Sequence, residues 1–212
     1  MRGRDLIGVL FFLAIVLAGN YPVAPMAGVL VLVWARWSKT PWPSLGLIRP
    51  ESWLRTVVGG VLFGAGLKIA MKALVMPLFG ADPSNQAFHF LVGNQAALPS
   101  ILYLAIVGAG FGEEMVFRGF LFDRFGRWLG SRAWATVVTV LVTSMWFAAE
   151  HYRVQGLAGV QQATVVGLVF GTIFAITRRL PMLMIAHAAF DVTAIAIIYW
   201  DLERTFAHLV FR

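Results

Sequence analysis

Three short patterns of ionisable residues lie inside apolar sequence. Glu113 and Glu114 are followed by Arg118, Phe147 by Glu150 and His151, and His187 by Asp191. Ionisable side chains at membrane depth are costly and therefore rare without a function. Carboxylates, a guanidinium and two imidazoles on three successive apolar segments are the components of an acid/base site that could activate water inside a helix bundle.

Spacing divides the roles. Glu114 and Arg118 are four apart, share one helix face and can pair, which reduces the cost of each charge in a low-dielectric interior. Glu113 is turned about 100° from its neighbour, so it can stand unpaired and available as a base. The structural alternative for this motif is an ion network that only fixes helix packing. Phe147 and His151 share a face, placing a phenyl ring beside an imidazole; a lone histidine near a helix end is otherwise an ordinary interfacial residue. His187 and Asp191 also share a face, and an aspartate that accepts from an imidazole N–H fixes its tautomer. Ala186, Ala188 and Ala189 around that histidine allow a neighbouring helix to come close. His89 and His208 have no such company and read as loop and tail residues.

These side chains need elements to position them, and the composition says which. Of 212 residues, 59% are hydrophobic and only 13% charged, with a mean hydropathy of +0.79. A soluble fold of this size cannot hide so much apolar surface. The runs are too long and continuous for barrel strands. The expectation is an all-α polytopic transmembrane helix bundle forming a single transmembrane domain over 1–212, with about seven spans near 6–19, 22–36, 53–79, 98–123, 133–151, 157–177 and 182–200. Met1-Arg-Gly-Arg4 before an apolar run resembles a signal peptide, but no hydrophilic segment follows, so an uncleaved first span is expected. Lys68 and Lys72, one turn apart in the third span, are expected to snorkel to an interface, or that span breaks near Gly64-Ala65-Gly66.

The net charge of +7 reads as cytoplasmic loops, not as a nucleic-acid surface. With the N-terminus inside, the inner segments hold eleven Lys and Arg and the outer ones three, with Lys68, Lys72 and Arg118 assigned to the membrane. That bias predicts a cytoplasmic N-terminus and an odd number of spans. Without cysteine there is no disulfide framework and no thiol nucleophile. Depth is harder to reconcile. At about 1.5 Å per residue, Glu113 lies about 16 Å from Arg124 and His187 about 12 Å from Arg179, but His151 about 28 Å from Arg132. Tilt, or a later start of the fifth span, must bring His151 inward.

The ordered set EExxxR, FxxxH and HxxxD resembles the CPBP family of CAAX-processing and bacteriocin-processing intramembrane endopeptidases, also called the Abi family. The resemblance covers a motif-bearing core of about 98–200. It implies a glutamate-dependent intramembrane protease without a cofactor or metal. Glu113 then matches the catalytic glutamate, which with His151 activates a water. His187 and Asp191 match the pair that stabilises the oxyanion, and Glu114, Arg118 and Phe147 play supporting parts. Bacterial members often carry asparagine at the last motif position. An ionised Asp191 would repel an oxyanion, so its expected role is to orient His187 and leave the imidazole as donor. The implied partners are the lipid bilayer and a protein or peptide substrate with a membrane-associated segment. The small size and the lack of extra domains lead to the expectation of a prokaryotic plasma membrane.

Other classes are open. Glu113, His151, His187 and Asp191 are plausible zinc ligands of a membrane metalloprotease, although HExxH is absent. Serine- and aspartyl-type intramembrane proteolysis lack their motifs, although Ser144 lies on the fifth span. A non-enzymatic scaffold or immunity protein would not need Glu113 unpaired. A proton-coupled transporter would be small and shows no repeat.

Overall fold

The computed structural model of the chain describes residues 24–130 and 132–211, with Leu10 and Ala14. The expected span over 6–19 lies outside the described residues except for Leu10 and Ala14. The described residues form helices and turns, without a β-strand among them. Helix α1 is Ala24–Trp37, and a 3₁₀ turn at Trp42–Leu45 follows. The next four helices, α2 (Trp53–Leu78), α3 (Gln95–Leu129), α4 (Ala133–Thr177) and α5 (Leu180–Tyr199), are each long and apolar enough to cross a membrane. The short α6 is Glu203–Ala207. The protein is an integral membrane protein built as a polytopic helical bundle.

Helix α4 contains two of the expected spans. At Gly156 the backbone takes φ 61° and ψ −154°, a region essentially closed to residues with a Cβ. The chain turns back there. A Cβ on Gly167 would meet Ser144 at 3.1 Å, and one on Gly171 would meet Val140 at 3.3 Å. Each step forward along one limb meets a step backward on the other, so 133–155 and 157–177 are antiparallel limbs of a helical hairpin. Ser144 sits between those limbs, 2% exposed.

Small residues bring the other helices together. Helix α2 lies along α5, which also packs on α3. A Cβ on Gly64 would fall 2.0 Å from the Ala186 carbonyl oxygen, and one on Gly110 would fall 2.9 Å from Ala188 Cβ. Glycine and alanine at such crossings let the backbones touch, which is how helices gain contact where lipid removes the hydrophobic drive. Gly64 is therefore a packing site, and the segment around it is not a break. The helix runs through it and widens to π-helical turns only at Met71–Val75. Nor do Lys68 and Lys72 snorkel outward: both are buried, facing the interior of the bundle.

Helix α3 carries the first motif on π-helical turns, Leu104–Glu113 and Met115–Phe120. Wide turns of this kind recur at functional sites. The helix also continues past residue 123, where the span was expected to end, through Leu121–Leu129. Asp123 anchors that extension by pairing with Arg124 and Arg127. Counted from the end of α3, Glu113 stands about 24 Å up, and His151 stands about 27 Å above the start of α4. The two come level because α3 is longer than its apolar run, not because α4 starts late.

Candidate active site

Glu114 is the centre of the buried polar network. It is fully buried. Its Oε1 accepts from Arg118 Nη1 at 2.8 Å and from His187 Nδ1 at 2.7 Å. The guanidinium of Arg118, 2% exposed, lies over the rings of Phe147 and Phe170, 4.7 and 5.6 Å from their centroids. The His187 ring meets both phenyls edge-on. Arg118 thus loses water but gains a carboxylate and two π faces, which offset part of the desolvation cost. Phe147 shapes this cage as well as stacking beside His151 at 4.7 Å.

Glu113 points elsewhere, as its angular offset predicts. Among the described residues no group donates a hydrogen bond to it, and its Oε2 is buried. That oxygen lies 3.9 Å from His187 Nε2, and Asp191 Oδ2 lies 3.9 Å from the same nitrogen. Both separations exceed hydrogen-bond range. The expectation that Asp191 orients His187 is therefore corrected: Glu114 holds Nδ1 at 2.7 Å, and Asp191 faces the opposite nitrogen. The i, i+4 spacing correctly put Asp191 and His187 on one face, but a carboxylate from the adjacent helix reached the ring first.

His151 Nδ1 donates to the Phe147 carbonyl at 2.8 Å, one helical turn back. The carbonyl can only accept, so in the neutral ring the proton sits on Nδ1 and Nε2 is the acceptor. Nearby, Trp146 Nε1 donates to Glu150 Oε1 at 3.0 Å, which takes Glu150 out of contention for His151.

These groups share a cavity of about 150 Å³. Glu113, Phe147, His151, His187 and Asp191 form one wall, and Ile101, Leu104, Leu91, Phe190 and Ile195 form much of the rest. Ser144 does not line it. Asn85 and Phe88 place it toward the segment joining α2 and α3, at the end of the bundle away from Arg49, Arg124, Arg132 and Arg179. Among the described residues no three His, Asp or Glu side chains converge closely enough to hold a metal ion.

Two buried cations escaped their sequence assignment. Lys72 Nζ donates to Glu203 Oε1 at 2.6 Å and to the Pro83 carbonyl at 2.5 Å. Lys68 Nζ donates to Gln162 Oε1 at 2.9 Å and lies 5.0 Å from the Phe190 ring centroid. Their spacing within an apolar run was the signal, but the partners are 131 and 94 residues away, beyond any local reading. Phe170 likewise carries no motif.

Such a bundle, with a charged cavity enclosed by spanning helices, defines a membrane protein built around a buried polar site. Residues 95–193 match the family model described as type II CAAX prenyl endopeptidase Rce1-like. That segment carries all three motifs, so this part of the chain is similar to the type II CAAX prenyl endopeptidases. The search of curated proteins finds no match, and neither does the search of solved structures.

Proposed function

We propose that the chain is an intramembrane endopeptidase in which Glu113, assisted by His151, activates a water against a peptide bond of a membrane-associated protein or peptide. The observation that carries this reading is the contrast between adjacent glutamates. Glu114 is committed to Arg118 and His187. Glu113 accepts no hydrogen bond from the described residues and lines a cavity with two imidazoles. A carboxylate kept for packing would be paired; one kept for chemistry has its lone pairs available.

In this mechanism a water lies between the Glu113 carboxylate and the acceptor Nε2 of His151. Glu113 takes one proton while His151 accepts the second hydrogen bond and fixes the oxygen's direction. The oxygen adds to the scissile carbonyl. His187, whose Nδ1–H is committed to Glu114, donates from Nε2 in its imidazolium form to the oxyanion. Glu113 then returns its proton to the leaving amine, and the C–N bond breaks. Asp191 is the second carboxylate on the Nε2 side, placed to hold the water or the leaving amine. The bias of basic residues supports a cytoplasmic N-terminus, with the cavity then facing the outer side of a prokaryotic plasma membrane. The aliphatic walls suit peptides with aliphatic side chains, including prenylated CAAX tails.

The test is hydrolysis of a prenylated peptide ending in Cys-Val-Ile-Met by the purified protein in detergent, run in ¹⁸O-labelled water after dialysis against phenanthroline. The expected result is cleavage with one labelled oxygen in the new carboxylate. Loss of activity restored by zinc would replace this mechanism with the metalloprotease.

A further inference from the structure

Lys68 and Lys72 are the same residue type, one turn apart on α2, and both are buried. Their surroundings differ. Lys72 has a carboxylate, Glu203, and a backbone carbonyl within 2.6 Å. Lys68 has one acceptor, the neutral amide of Gln162, and the face of Phe190. Among the described residues no carboxylate forms an ion pair with it. An ammonium carries three donors, and a buried charge without a counterion is expensive. The position of Lys68 explains what such a cost could serve. It lines both the active-site cavity and a neighbouring one of about 190 Å³. That second cavity mixes apolar walls with the polar side chains of Lys72, Asp82, Ser84, Gln155, Gln162 and Glu203.

We infer that Lys68, held by Gln162, is the anion-binding residue of the substrate cavity and takes a carboxylate of the bound peptide. The inference rests on the peptidase reading and adds a specificity determinant to it. A peptide lying with its scissile bond at Glu113 and aliphatic side chains against Leu104 and Ile195 would present its polar end to the boundary between the two cavities. The ammonium waits there with two unused donors. The carboxylate can be the chain terminus or an acidic side chain, and the two sources separate by experiment.

The probe is the prenylated Cys-Val-Ile-Met peptide as free acid and as C-terminal amide, with a third version carrying Glu at the last position and an amidated terminus. Binding to the Glu113→Gln variant and hydrolysis by the unsubstituted chain are both measured. Binding reports on Lys68 even where hydrolysis fails, so failure of the peptidase reading is distinguishable. One charge-assisted hydrogen bond corresponds to a preference of about 10–100-fold for the free acid, or for the Glu version if a side chain is the source. Lys68→Met should remove that preference, raising KM for the carboxylate peptide to that of the plain amide with kcat little changed. Lys68→Arg should keep it. If Lys68→Met does not fold, Gln162→Glu supplies an internal counterion and should abolish the preference in a folded chain. Equal binding of all three peptides by the unsubstituted chain, or a preference that survives both Lys68→Met and Gln162→Glu, would overturn the inference.

Discussion

At the residue scale, the chemistry turns on which carboxylate serves which group. Glu114 bonds Arg118 and His187 through a single oxygen, so Glu114→Gln should disturb both. The amide oxygen could still accept from both, but the negative charge that holds the guanidinium and the imidazole is lost, and the new NH2 is buried where Oε2 has no partner among the described residues. We expect a loss of about 100-fold or more in kcat, as for a mispositioned oxyanion donor. Asp191→Asn should be milder, because Asp191 makes no hydrogen bond to the imidazole. Parallel kinetics on the two variants check the assignment; Asp191→Asn losing more than Glu114→Gln would return the orienting role to Asp191. Arg118→Ala should lower stability by about 3–5 kcal/mol, since it leaves a buried carboxylate without its guanidinium. A thermal melt in detergent reads this, and an unchanged melting temperature would contradict the pairing. The pairing itself was legible from i, i+4 spacing. The bond from Glu114 to His187 was not, because it joins helices 73 residues apart and no local period encodes it.

At the element scale, hydropathy placed most helix ends within the described residues to within a few positions, since apolar length is a direct reading of what lipid requires, although the helix at the expected 22–36 span is shorter than a membrane crossing needs. It placed the end of α3 poorly. The extension Leu121–Leu129 is amphipathic, held by Asp123 to Arg124 and Arg127, and its charges concealed helix beyond the apolar run. Gly156 is the hinge of the α4 hairpin, and alanine there must adopt φ 61°. Gly156→Ala should cost about 1–3 kcal/mol and reduce activity with stability, because His151 stands five residues from the turn. Gly64→Ala should also destabilise, by about 1–3 kcal/mol of overpacking, its Cβ meeting the Ala186 carbonyl at 2.0 Å just beside His187. Melting temperatures matching the unsubstituted chain in these two variants would contradict the hairpin and the α2–α5 contact respectively.

At the scale of the whole molecule, the antiparallel helices gather most loop cations at one end of the bundle and the cavity toward the other. The absence of cysteine makes the orientation simple to read. Exposed Glu51 lies on the basic end, and exposed Gln86 lies on the segment beside the cavity. An impermeant maleimide added to intact cells should label Gln86→Cys and spare Glu51→Cys; the reverse pattern would invert the membrane orientation. The central claim concerns Glu113, and its direct test is turnover of the prenylated peptide by purified Glu113→Gln beside the unsubstituted chain. The carboxamide is nearly the same size and Glu113 makes no hydrogen bond that folding needs, so melting temperature should hold while kcat falls by about 10²–10⁴. A Glu113→Gln protein that is folded and cleaves at the unsubstituted rate would contradict the account.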